Sequence, residues 1–242
     1  MKHIKADGLR VMELAGVPDP VHRPVDIDQK LSGFLFLRSL RVYCFTAGSV
    51  IVGHAENDEV LLVLLAGTVQ LTLSDHELDE FSPQFTLSVV GNDLGHPCVA
   101  YLPPHGSYRL IPQSDAEVAY IRAMTIEKRR PQVFSARPRC GETGTFVLIE
   151  EAGYAYRLRL RVVELMASQD GIAIEPVEAT ESQCEVFVHL RTSPAQNAIS
   201  ILDADREPVA LESQDTVALD PGERATLSVA GGASALMLVI LA

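Results

Sequence analysis

Residues Thr46 to Leu73 read TAGSVIVGHAENDEVLLVLLAGTVQLTL. The β-branched Val50, Ile51 and Val52 run into Gly53-His54, and Asn57-Asp58 break the pattern. Glu59 then opens an apolar run to Leu65, and Ala66-Gly67 marks a turn. Beyond it Val69, Leu71 and Leu73 alternate with Thr68, Gln70 and Thr72, the period-two pattern of a strand with one buried face. The stretch predicts strand, polar loop, strand, glycine turn, strand.

On the N-terminal side, Leu31 to Tyr43 is expected to begin the same shell, with Phe34 to Leu37 as a strand buried on both faces. Gly8 to Pro24 holds Pro18, Pro20 and Pro24 and predicts an extended arm with a short strand at Leu9 to Leu14. On the C-terminal side, a weak strand at Phe85 to Val90 precedes strands at Cys98 to Leu102, Tyr108 to Ile111 and Glu117 to Met124. Alternation in the last places Val118, Tyr120 and Arg122 on one side.

Glu127 to Gly144 loses all periodicity and reads as a linker. After it the β pattern restarts at Phe146 to Ile149 and Tyr156 to Leu165, and short strands recur to Leu236 to Leu241. Strands at a spacing of about ten residues, separated by Gly, Pro and Asp turns, predict an all-β chain with two sandwiches or barrels. The expected division is 1–130 for the first barrel and its arm, 131–144 for the linker and 145–242 for the second barrel.

Composition narrows the function classes. A formal net charge of −12 argues against nucleic-acid binding, which needs a basic footprint to displace counterions from phosphates. The apolar runs Val60 to Leu65 and Ala235 to Ala242 fall far short of the roughly 20 residues that span a bilayer, so no membrane partner is expected. The segment MKHIKADGLR has no apolar core of a signal peptide, and the four widely spaced cysteines form no CxxC pair. Together these predict a cytoplasmic, reduced protein. Open sheet edges make a homodimer an expected assembly.

The central stretch resembles the first cupin motif through Gly48, His54, Glu59 and Gly67, with Glu56 or Asn57 where the motif has a second histidine. Cys98 to Leu110 (CVAYLPPHGSYRL) and Asp215 to Leu227 (DTVALDPGERATL) each resemble the second cupin motif, so the chain looks like a bicupin: two cupin-type β-barrels of the jelly-roll kind. With FTAGSVIVGH, LLVLLAGTVQLTLSDHE and VAYLPPHGSYRLIPQSDAEVAYIRA in order, it is similar to the bicupin family of 5-deoxyglucuronate isomerase and its relative 5-keto-4-deoxyuronate isomerase. The resemblance is strongest from Tyr43 to Ala136 and implies a small sugar acid as ligand, as in inositol and carbohydrate catabolism.

That family holds a divalent metal such as zinc in the second barrel, through a paired HxH after a proline, a glutamate, and a histidine after a PxG turn. Here Pro176 is followed by Val177-Glu178-Ala179, Glu185 matches the glutamate, and Arg224 stands where the last histidine would be. His189 lies on the same strand face as Glu185 but about 13 Å further along an extended strand. Metal ligands sit near 2 Å from their ion, so the two cannot share one. The expected cofactor is therefore none, with Glu185, His189 and Arg224 left as ligand-binding candidates. Arg157 and Arg159 share a strand face with Arg161 and are candidate carboxylate ligands, since the guanidinium fork matches a carboxylate. Two outcomes follow for function. Either the protein binds a sugar acid without catalysis, or an isomerase site has moved to His54, Glu59 and His105 in the first barrel.

Overall fold

The computed structural model describes residues 1–89, 97–135, 145–149, 157–166, 172–179, 184–192, 199–203, 208–230 and 232–242. They fall into two compact units. Residues 7–135 with Arg157 and Leu158 form one; Met1–Ala6 and the chain from residue 145 onward, without those two, form the other. The fold is all-β in both, as the period-two patterning predicts, and no helix among the described residues is long and apolar enough to cross a membrane.

In chain order, β1 is Lys2–Ile4, β2 Val11–Met12 and β3 Val21–Asp28. A one-turn helix α1, Gln29–Ser32, follows, and then β4 Leu37–Phe45, β5 Ile51–His54 and β6 Asp58–Ser74. The first unit continues with β7 Gln84–Val89, β8 Cys98–Leu102, β9 Ser107–Pro112, β10 Ala116–Met124 and β11 Gln132–Ser135. The remaining strands are β12 Thr145–Ile149, β13 Arg159–Met166, β14 Ile172–Glu178, β15 Val186–Thr192, β16 Ile199–Asp203, β17 Val209–Ala210, β18 Thr216–Leu219, β19 Arg224–Ala230 and β20 Ser234–Leu241.

β6 organises the first unit. Its first half pairs β10 and β8, its second half pairs β7 and β9, and both halves belong to one 17-residue strand. The predicted turn at Ala66-Gly67 is instead a corner inside this strand. Gly67 takes φ +88°, and a Cβ there would lie 2.3 Å from the Asp115 carbonyl oxygen. Only glycine combines that left-handed backbone with so close an approach. The register with β10 shifts between Glu117 and Val118, beside the corner, so one strand passes from the sheet β11-β8-β6-β10-β4-β3-β2 into the sheet β5-β9-β6-β7. Val60, Leu62 and Leu64 before the corner, and Val69, Leu71 and Leu73 after it, enter one apolar core.

The second unit pairs a six-stranded sheet, β1-β18-β15-β20-β13-β12, with a four-stranded sheet, β14-β19-β16-β17. Alternate residues such as Val163, Val186, Val188, Leu227, Val229, Met237 and Val239 fill its interior. β1, within the span 1–130 expected for the first barrel and its arm, pairs with β18 through Lys2↔Ala218 and lies in this unit.

Several local expectations give way to geometry. Phe34 to Phe36 is not strand: Asp28 caps α1 through the Leu31 N–H, Gly33 ends it at φ +84°, and Leu35 is 70% exposed. The arm from Gly8 carries only the two-residue β2, and β3 begins within its proline-rich end because Val21, Val25 and Ile27 are buried. The expected linker begins with β11, which pairs β8 from Gln132↔Tyr101 to Ser135↔Cys98. Residues 136–144, the rest of that linker, lie outside the described residues, as do Cys140 and Tyr156.

Candidate functional site

A cavity of about 370 Å³ opens in the first unit. Period-two alternation aims Arg41, Tyr43 and Phe45 of β4 at it, together with Tyr108 and Leu110 of β9 and Val118, Tyr120 and Arg122 of β10. Leu14 and Ala15 of the N-terminal arm complete the wall. On β5, Ile51 and Gly53 share the inward parity, and the missing side chain at Gly53 leaves room for the Tyr108 ring. Tyr108 and Tyr120 face each other with centroids 6.2 Å apart, and Tyr43 stacks on Phe45 at 5.6 Å.

The polar end is built on Arg122. Its Nη2 donates to Glu56 Oε2 at 2.7 Å and to the Ala55 carbonyl at 3.4 Å, and it lies 2.8 Å from Asp58 Oδ2. Its Nε is buried with no hydrogen-bond partner among the described residues. Glu56 sits in a turn at φ +52°, and its carbonyl accepts the His105 N–H at 2.6 Å. A second cavity of about 430 Å³ shares Arg41, Glu56 and Arg122 and adds Lys30, Arg38 and Asp58.

These contacts set the charges. The hydrogen bond from Arg122, aided by its charge, holds the Glu56 carboxyl below the usual range. Burial raises Asp58 against the pull of Arg122 and Arg38. Burial lifts Tyr120 to about 12 and pushes Tyr108 well up, so both hydroxyls stay protonated donors. The Tyr120 hydroxyl donates to the His54 carbonyl at 3.4 Å.

Of the expected first-barrel trio, only His54 borders this cavity. It shares the outward parity of Val52, is exposed, and meets Ser107 Oγ at 2.9 Å through Nδ1. Glu59 has the opposite fate to the one its motif position suggests. It shares the face of Leu61, not that of Leu62, and is wholly buried. There Oε1 accepts the N–H groups of Arg157 at 2.7 Å and Leu158 at 2.5 Å, and Oε2 accepts the Tyr101 hydroxyl at 3.4 Å. His105 is an exposed turn residue at φ +64° and does not line the cavity. The three side chains do not converge.

The second-unit candidates are dispersed too. Val177 and Ala179, at the places of the paired histidines, are buried in the aliphatic core. Ala225 points into that core, so Arg224 points out and is exposed. Glu185 and His189 have the parity opposite to the core residues Val186 and Val188. Both are buried, and His189 Nδ1 meets Thr216 Oγ1 at 3.1 Å. Burial drives the His189 pKa down to about 3. Arg157 lies over the Phe36 ring at 3.9 Å, while Arg159 is exposed. The aliphatic Val177 and Ala179 offer no donor to a metal ion, and no three His, Cys, Asp or Glu side chains converge among the described residues.

Arg41, Tyr43, Glu56, Tyr108 and Arg122 thus form the polar site, and sequence reasoning nominated none of them as site residues. The Val118-Tyr120-Arg122 alternation carried one signal, and Glu56 at the motif place of a second histidine carried another.

Two sheets joined by one cornering strand in the first unit, and two sheets around one apolar core in the second, make a fold of the cupin type, and solved structures agree. An IolB-like protein from Salmonella typhimurium matches with TM-score 0.69 at 17% identity, over 94% of this chain and 91% of that one. A bacterial pirin from Escherichia coli, solved with nickel(II), matches with TM-score 0.64 at 13% identity, over 98% of each chain. An oxalate decarboxylase from Bacillus subtilis matches with TM-score 0.65 at 10% identity, over 98% of this chain and 76% of that one. No family model and no curated protein matches the chain.

Proposed function

We propose that this protein binds a small sugar acid in the first-unit cavity, without a metal, as a relative of the sugar-acid isomerases. The observation that carries the reading is the cavity itself. Its volume lies in the range of small-molecule sites, and it joins a tyrosine-lined apolar wall to two arginines and a carboxylate. Sugar rings present apolar C–H faces to aromatic rings and hydroxyls to charged hydrogen-bonding groups. Arg122 and Glu56 supply a donor and an ionised acceptor side by side, and protonated tyrosine hydroxyls add further donors. The sequence resemblance to 5-deoxyglucuronate isomerases and the fold shared with an IolB-like protein support the ligand class.

Titration calorimetry with glucuronate, galacturonate and glucose tests the reading. At least one uronate should bind with a 1:1 stoichiometry, and Tyr120→Phe or Arg122→Gln should weaken it at least fivefold. Absence of binding by every uronate, or binding indifferent to both substitutions, overturns it.

A further inference from the structure

Asp26 stands among three guanidinium groups. Its Oδ2 pairs with Arg10 and with Arg23 Nη2 at 2.6 Å, and its Oδ1 accepts Arg41 Nε at 3.0 Å. Three positive charges around one carboxylate leave an excess of two. The protein as a whole carries −12, so this excess is local and set against the overall field. An ion pair serving packing alone needs one cation per carboxylate, and desolvating extra charge is unfavourable unless something compensates it. Arg23 is only 10% exposed, yet its Nε is buried without a partner among the described residues; its Nη1 lies 3.5 Å from the Tyr43 hydroxyl, and its guanidinium sits over the Tyr43 ring.

The cluster opens to the cavity through Arg41 and Tyr43, both of which line it. Arg41 gives only Nε to Asp26, so among the described residues neither of its Nη groups makes a hydrogen bond. The charges around the neighbouring Arg122 are arranged differently. There Nη2 of Arg122 is already shared by Glu56 and Asp58, and Arg38 lies 3.7 Å from Asp58, so charge is balanced. The arginine cluster on Asp26 is short of negative charge, and the group around Arg122 is not.

We infer that the open fork of Arg41, backed by Arg10 and Arg23 on Asp26, is the carboxylate subsite of this cavity. The ligand's anionic group lies against Arg41, and its hydroxyls reach toward Glu56, Arg122 and the tyrosines. The inference uses the proposed cavity but assigns the anionic end and does not require that the anion be a sugar.

The protein has no tryptophan, and three of its six tyrosines line the cavity, so tyrosine emission reports binding directly. The probes are glucuronate, its neutral amide, lactate and malonate, titrated into the full chain and into Arg41→Gln, Arg122→Gln and Asp26→Asn. Arg41→Gln should weaken every carboxylate at least tenfold and shift the neutral amide less than twofold. Asp26→Asn keeps the shape and removes the internal competitor, so it should tighten carboxylates several-fold, a gain that misfolding cannot mimic. Glucuronate binding that survives Arg41→Gln but not Arg122→Gln overturns the subsite and leaves the sugar-acid reading intact. Arg41-dependent binding of lactate or malonate without any uronate binding upholds the subsite and overturns the sugar-acid reading. Failure of all carboxylates to bind overturns both.

Discussion

The Tyr108 ring occupies the volume that a side chain on Gly53 would need: a Cβ at Gly53 would lie 2.6 Å from three of its atoms, the hydroxyl oxygen included. The two residues are cross-strand partners on β5 and β9, so the ring can leave only by turning into the cavity. Gly53→Ala should therefore destabilise the protein by about 1–3 kcal/mol, the usual range for overpacking, and weaken ligand binding. In a Tyr108→Ala background the same substitution should be nearly neutral. Urea denaturation of the double-mutant cycle measures the coupling, and additive effects would refute it.

Gly67 makes a sharper demand. Its positive φ and the Asp115 carbonyl beside it leave no room for a methyl group. Gly67→Ala should cost about 2–4 kcal/mol, from strain and overpacking together, because β6 could no longer turn between sheets. A melting temperature within a degree of wild type would contradict this account of the corner.

Glu59 satisfies two backbone N–H groups and receives a tyrosine hydroxyl in a fully buried place. Hydrogen bonds to charged groups contribute about 1.5–3 kcal/mol each, and abandoned buried donors are unfavourable. Glu59→Ala should thus lower stability by about 3 kcal/mol and Glu59→Gln by roughly half that, while uronate affinity in the folded protein stays within twofold. A large affinity loss with unchanged stability would instead place Glu59 in ligand contact.

His189 makes stability depend on pH. Burial lowers its folded-state pKa to about 3, so its contribution is complete above the unfolded value near 6.5 and is lost as pH falls toward 3. Between pH 7 and pH 4.5 wild type should lose about 2–3 kcal/mol more than His189→Gln, at about 1.4 kcal/mol per pH unit below 6.5. Parallel losses in the two proteins, read from urea midpoints, would show that this histidine does not titrate with unfolding.

Metal binding gives a fourth kind of measurement. With Val177 and Ala179 in place of paired imidazoles and His54 turned outward, added zinc or nickel should show no saturable one-to-one binding at micromolar concentration. One tightly held equivalent that resists dialysis would overturn the reading.

Strands were legible in this sequence even where both faces are buried. Val118, Tyr120 and Arg122 alternate with Ala119 and Ile121, so the inward set follows from parity alone. The corner at Gly67 was legible as a special glycine but not as a bend within a strand, because a turn and a corner both call for positive φ. Arg41 and Tyr43 escaped notice because their strand reads as the apolar opening of the shell, and only pairing with Asp26 on β3 reveals an arginine cluster. Glu59 misled for a related reason. Its motif position suggests a ligand, and the N–H groups that claim its carboxylate lie 98 and 99 residues away.

That distance has a consequence for how the chain is made. When β6 leaves the ribosome, the backbone N–H partners of Glu59 do not yet exist; at about 5–20 residues per second they follow roughly 5–20 seconds later. β1 waits longer, since its neighbour begins at Thr216. A nascent chain halted before residue 157 would therefore hold a carboxylate inside an unfinished shell, and ribosome stalling there should leave the polypeptide sensitive to protease until Arg157 and Leu158 arrive.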